Sequence, residues 1–146
     1  MEKQVIQSVG FRNIVENGEV TGFQLRIRLP YYRGVYLSQV IPGHLTVDGE
    51  VFGSDEILWR VNGEDFRYAD MRADCKTHWH PQEPATLIVK KPGGLAQGFH
   101  DICYGFCCTH SYMPPQMEAL LDPDMPSPVL FREFGDNQHR RRLLIV

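Results

Sequence analysis

Between Phe23 and Leu29 the chain alternates without a slip: Phe23, Leu25, Ile27 and Leu29 are apolar, and Gln24, Arg26 and Arg28 lie between them. A two-residue period puts one set on a buried sheet face and the other on the opposite face. It predicts a strand. Pro30 ends it, because proline has no N–H to offer a neighbouring strand. The loop that follows, Tyr31-Tyr32-Arg33-Gly34, is loaded with aromatic and cationic groups, and Val35-Tyr36-Leu37 resumes an extended pattern. A regular strand thus delivers an adhesive loop to one end of a sheet.

The rest of the chain repeats this strand-and-turn grammar. Asn17-Gly18, Asp48-Gly49 and Asn62-Gly63 are strong hairpin signals. They divide an irregular first strand over Val5–Val15, the strand above, a short strand Leu45-Thr46-Val47 returning through Val51-Phe52, and Ile57–Val61. Ile41-Pro42-Gly43 reads as a break. Tyr68–Asp74 has room for one helical turn, and Thr77–Trp79 is extended. Ala85–Lys90, Phe99–Tyr112 and Arg140–Val146 complete the set, and Gly105 predicts a bulge or a close backbone contact within its strand. About eight or nine strands with almost no helix imply an all-β fold, a single-domain antiparallel β-sandwich or short barrel spanning residues 1–146.

At 146 residues one domain can bury a real core. No window approaches the ~18 apolar residues of a membrane span. The start, MEKQVIQSVGF, has no apolar signal core, so a cytoplasmic location is expected, with Cys75, Cys103, Cys107 and Cys108 as reduced thiols. A net charge of -3 argues against nucleic acid as partner. The short basic run His139–Arg142 leads into Leu143-Leu144-Ile145-Val146 and reads as the start of a strand.

Residues 113–128 break the pattern. Pro114, Pro115, Pro123, Pro126 and Pro128 sit among Met113, Met117, Leu120, Leu121 and Met125. The segment is too apolar for a solvated linker and too proline-rich for a sheet. It is an irregular arm, lying either on another surface or on its own core. Tyrosine, arginine and methionine are enriched at protein–protein contacts. The expected partner interface is therefore Tyr31, Tyr32, Arg33, Tyr36, Tyr112, Met113, Met117 and Leu120.

Candidate chemistry is sparse. His78 and His80 share a strand face and, with Glu83, are similar to the first half of the cupin metal pattern. The spacing to Glu83 is short, however, Pro81 and Pro84 interrupt the strand, and the second half of the pattern is missing. Cys103 and Cys107 face one way on a strand and Cys108 and His110 the other, which works against one tetrahedral zinc site with Cys75. Buried thiols packing as small apolar groups are the simpler expectation. There is no serine elbow and no phosphate loop before a helix.

Six blocks resemble the small (beta) subunit of the bacterial C-glycoside deglycosidases, or 3-dehydro-C-glycosidases. They are Ser8-Val9-Gly10-Phe11-Arg12-Asn13, Arg28-Leu29-Pro30-Tyr31-Tyr32-Arg33-Gly34, Val47-Asp48-Gly49, Pro84-Ala85-Thr86-Leu87, Lys91-Pro92-Gly93-Gly94-Leu95 and Ser111-Tyr112-Met113-Pro114. The resemblance implies a two-subunit lyase. In it a TIM-barrel-like alpha subunit carries a divalent metal, usually manganese, and the catalytic acid and base. The beta subunit is a β-sandwich needed for a working complex. The substrate is a flavonoid-type C-glycoside already oxidised to a ketone at the sugar's third carbon. On this resemblance no catalytic residue and no cofactor is expected on this chain. Two other readings stand beside it: a free-standing cupin-like metalloprotein using His78, His80 and Glu83, and a sugar-binding β-sandwich module.

Overall fold

The computed structural model describes residues 4–31, 33–109, 121–125 and 137–146. Two antiparallel sheets face each other. The first has five strands: β1 (Arg12–Glu16), β2 (Glu19–Ile27), β6 (Ile57–Val61), β7 (Glu64–Phe66) and β9 (Ala85–Lys90), in the order β1-β2-β9-β6-β7. The second has four: β4 (Val40–Val47), β5 (Glu50–Phe52), β10 (Gly98–Cys108) and β11 (Gln138–Ile145), in the order β11-β10-β4-β5. A two-stranded ribbon of β3 (Val35–Tyr36) and β8 (His78–Trp79) and one short helix, α1 (Tyr68–Ala73), close one end. The all-β expectation holds as an open sandwich. The strand count exceeds eight or nine because β3 and β8 are two-residue strands, too short to register as a periodic pattern.

All three Asn-Gly or Asp-Gly pairs sit in hairpin turns. Asn17, Asp48 and Asn62 have φ of 53°, 51° and 54°, and each following glycine is also left-handed. Two successive positive φ values match the right-handed twist of the flanking strands.

The alternation of β2 works as its spacing demands. Phe23, Leu25 and Ile27 are buried, and Leu29 stays buried after the ladder has ended at Ile27. On the reverse face Gln24 is also covered, because residues 8–11 cross it and its amide donates to the Gly10 carbonyl at 3.1 Å. The first strand is shorter than Val5–Val15. Ile6 bridges to Ile27, the chain then turns through Gly10 with φ of 89°, and pairing with β2 starts only at Arg12.

The break read at Ile41-Pro42-Gly43 is corrected: β4 runs through it. The register shifts between Tyr104 and Phe106, which places a bulge on β4 opposite Gly105. A bulge tolerates the missing proline N–H, so Pro42 costs no ladder bond there.

The core between the sheets is aromatic. Trp59 meets Trp79 at 5.4 Å, Tyr104 at 6.2 Å and Phe106 at 6.0 Å between ring centroids. Edge-to-face geometry suits these quadrupoles. The Trp79 indole donates to the Glu83 carbonyl at 2.8 Å. The Trp59 Nε1 and the Tyr104 hydroxyl are buried with no hydrogen-bond partner among the described residues.

Candidate partner-binding surface

The loop after β2 is clamped onto the segment that carries His78. Tyr31 is half-buried against the core, and Arg33 is exposed. Gly34 has to be glycine, because a Cβ there would lie 2.7 Å from the Trp79 carbonyl oxygen and collide with the His78 ring. Val35 then pairs with Trp79 and Tyr36 with His78. The Leu37 N–H donates to the Thr77 carbonyl at 3.1 Å and the Ser38 N–H to the Asp74 carbonyl at 2.9 Å. Sequence alone offered no reason for residues 34–38 to meet 74–79.

This contact brings together two sets of candidates that the sequence kept apart. Tyr36 is 45% exposed, and its ring meets His78 edge-on at 5.1 Å. His78 in turn meets His80 at 4.6 Å. The three rings form a row on the end of the sandwich where Tyr31 and Arg33 also lie. Tyr32, Tyr112, Met113, Met117 and Leu120 fall outside the described residues.

Glu83 does not complete a metal site with His78 and His80. The chain turns directly after His80, with the Glu83 N–H donating to the His80 carbonyl at 3.1 Å. Among the described residues no three His, Cys, Asp or Glu side chains are arranged to hold a metal ion. Among the described residues a cupin-like centre on His78, His80 and Glu83 therefore finds no fit. His110 lies outside the described residues, and the cysteines are dispersed. Cys75 is exposed beside α1, Cys103 is half-buried on the outer face of the four-stranded sheet, and Cys108 lies in the core. Burial, with smaller contributions from Asp122 and Asp124, pushes the Cys107 thiol up to about 12, and burial raises Cys108 as well. Neither is a nucleophile near neutral pH.

One piece of the proline-rich arm, Leu121–Met125, is described, and it lies on the chain's own four-stranded sheet. Asp124 accepts from the His44 N–H at 2.7 Å, and its carbonyl accepts from the Gln138 side-chain amide at 2.7 Å. A Cβ on Gly43 would lie 3.0 Å from Pro123 Cβ, and one on Gly105 would collide with the Pro123 carbonyl. Both glycines make room for the arm.

A pairing of buried His100 with exposed Asp48 went unrecognised in the sequence, since one lies on β10 and the other in the turn between β4 and β5. His100 is 8% exposed. Its Nδ1 is 2.5 Å from Asp48 Oδ2, and its Nε2 is 2.6 Å from the Ala96 carbonyl oxygen. Both ring nitrogens face acceptors, so neither is free to take a proton from a substrate. The pair is a structural tie.

Residues 1–112 match the C-glycoside deglycosidase beta subunit family. The chain is 60% identical over 147 residues to the C-glycoside deglycosidase beta subunit of Eubacterium cellulosolvens, with 100% of both chains covered. It is 30% identical over 95 residues to a 3'-dehydrocarminate deglycosidase beta subunit of a Microbacterium species, covering 64% of this chain and 70% of that one. A C-glycoside deglycosidase beta subunit of Microbacterium trichothecenolyticum is 30% identical over 63 residues, 43% of this chain and 48% of the relative.

Proposed function

Because the chain belongs to the C-glycoside deglycosidase beta subunit family, we propose that it is the non-catalytic subunit of a lyase complex acting on 3-oxo-C-glycosides of the flavonoid type in the cytoplasm. A beta subunit implies a partner subunit. In this reading the partner is a TIM-barrel-like alpha subunit that holds the divalent metal, manganese in the resembling family, together with the acid and base. A metal there supplies Lewis acidity at the ketone. A base removes the proton from the carbon between the ketone and the anomeric carbon. The bond from the anomeric carbon to the aglycone carbon breaks, its electron pair goes to the aglycone carbon, and an acid protonates that carbon. The products are an unsaturated keto-sugar and the free aglycone.

The observation that carries this reading is the full-length match at 60% identity. The described side chains are in keeping with it. His100 is committed to Asp48 and Ala96, and the buried thiols are held protonated. The docking end is taken to be Tyr31, Tyr32, Arg33 and Tyr36, now joined by His78 and His80, with Tyr112, Met113, Met117 and Leu120 as further contacts.

The test is reconstitution. The chain is purified alone and together with a sugar-isomerase-like alpha subunit, and aglycone release from a 3-oxo-C-glucoside is measured. The complex should release aglycone and the lone chain should not. Tyr36→Ala with Arg33→Ala should weaken assembly while the lone chain keeps its unfolding midpoint. Activity from the lone chain would overturn the proposal.

A further inference from the structure

Two hairpin turns of this chain carry the same Asn-Gly pair in the same geometry. Asn17-Gly18 joins β1 to β2, with Glu16 paired to Glu19 across it, and Asn62-Gly63 joins β6 to β7, with Val61 paired to Glu64. The asparagine φ values are 53° and 54°, and the glycine values 80° and 82°. All four residues are exposed. A Cβ on either glycine would meet nothing within 4 Å, so both turns stand in open space.

Their asparagine side chains differ. The Asn62 amide donates to the His78 carbonyl at 3.1 Å, which ties the β6–β7 turn to β8. The Asn17 amide has no hydrogen-bond partner among the described residues. A glycine nitrogen is the least hindered amide nitrogen in a chain, because no Cβ stands beside it. It can attack the Cγ carbonyl of the asparagine before it. The bond from the glycine nitrogen to Cγ forms, the bond from Cγ to Nδ2 breaks, and the amide proton leaves with Nδ2 as ammonia. Water then opens the cyclic imide at one of its two carbonyls and leaves an aspartyl or an isoaspartyl residue. No oxidant, metal or second protein is consumed. The attack requires the side chain to swing onto the glycine nitrogen, and at Asn62 that swing first breaks the bond to His78. The third turn of this kind, Asp48-Gly49, offers a carboxylate, which is a poor acyl donor and is held by the Asp101 N–H.

We propose that Asn17 is a site of spontaneous deamidation, and that the His78 carbonyl holds Asn62 against the same reaction. The product acts on the hairpin that makes it. A carboxylate at position 17 stands between Glu16 and Glu19, two acids already opposite each other, and like charges in that relation destabilise a strand pair. The isoaspartyl form adds a backbone atom to a two-residue loop whose length sets the register. β1 stands at the edge of its sheet. Deamidation at Asn17 therefore loosens an edge strand, whereas at Asn62 it would unfasten a turn from the strand that carries His78.

The experiment incubates the full chain at mildly alkaline pH, folded and in concentrated urea, and follows both turns by peptide mapping with mass spectrometry. Asparaginyl, aspartyl and isoaspartyl peptides are separated and quantified over time. In the folded chain Asn17 should convert roughly fivefold faster than Asn62, the factor that one net hydrogen bond corresponds to. In urea the bond to His78 is gone, and the two rates should draw together. Equal rates in the folded chain, or faster loss of Asn62, overturn the inference. So does a folded chain that keeps Asn17 intact while the unfolded chain converts it. A rate ratio that survives in urea assigns the difference to neighbouring residues instead of His78, and overturns it as well. Amides of β1 should exchange faster in the converted chain than in the fresh one, and unchanged exchange would refute the loosening of that edge.

Discussion

His100 on β10 and Asp48 in the turn between β4 and β5 are joined, with Nδ1 2.5 Å from Oδ2, and the other ring nitrogen 2.6 Å from the Ala96 carbonyl oxygen. A ring flanked by two acceptors is satisfied only as imidazolium. Burial opposes that charge, but the Ala96 and Asp48 bonds outweigh it, and the His100 pKa is raised. The Asp48 carboxyl is lowered, first by the Asp101 N–H and then by His100. A raised imidazole contributes stability that is fully present below its unfolded value, about 6.5, and is lost as pH rises through the folded value. A lowered carboxyl contributes above its unfolded value and is lost on acidification through the folded one. The tie is therefore strongest in mildly acidic solution. Thermal unfolding should show stability falling as pH climbs above ~6.5, and His100→Gln should flatten that fall. An identical slope in the variant would assign the pH dependence elsewhere.

Gly105 and Gly43 predict a steric coupling to the arm. A methyl at Gly105 collides with the Pro123 carbonyl, and one at Gly43 lies 2.7 Å from the Gly105 carbonyl oxygen and 2.6 Å from Asp124 Oδ1. Both alanine variants should lose roughly 1–3 kcal/mol by denaturant titration. They should also become more susceptible to proteolysis at Leu121–Met125. A variant that loses stability without faster cleavage there would separate the sheet from the arm.

The buried Trp79 and Tyr104 should respond differently from each other. Trp79 has its indole bond to Glu83 at 2.8 Å, so Trp79→Phe loses a buried bond and leaves a carbonyl unpaired, at about 1–3 kcal/mol. The Tyr104 hydroxyl is buried and unpartnered, and burial pushes its pKa far up. The Trp59 indole opposes that push but lies outside hydrogen-bond geometry. Removing an unsatisfied hydroxyl relieves its desolvation, so Tyr104→Phe should be neutral or stabilising in the same titration. A clear loss would reveal a bond to Tyr104.

How much of this could be read from the residues depended on how far apart the cause and its effect lay along the chain. The three hairpin turns were legible because a dipeptide carries the whole signal. The faces of β2 were legible because alternation is local. The continuity of β4 was not, since Pro42 is tolerated only through a register shift against Gly105 on another strand. The row of Tyr36, His78 and His80 depends on β3 meeting β8, two strands too short to carry a period. The His100–Asp48 tie required knowing that the Asp48-Gly49 turn packs beside β10.

The order of strands also has a kinetic consequence. Phe23 of β2 pairs with Val89 of β9, and Val47 of β4 pairs with Ile102 of β10. Neither sheet can be completed from local hairpins, because each has a central seam joining distant parts of the chain. Such seams require loop closure before any contact repays it, which places the domain among slow folders. Until β9 and β10 arrive, β2 and β4 present open apolar edges. A newly made chain passes through an interval in which capture by another chain competes with its own completion.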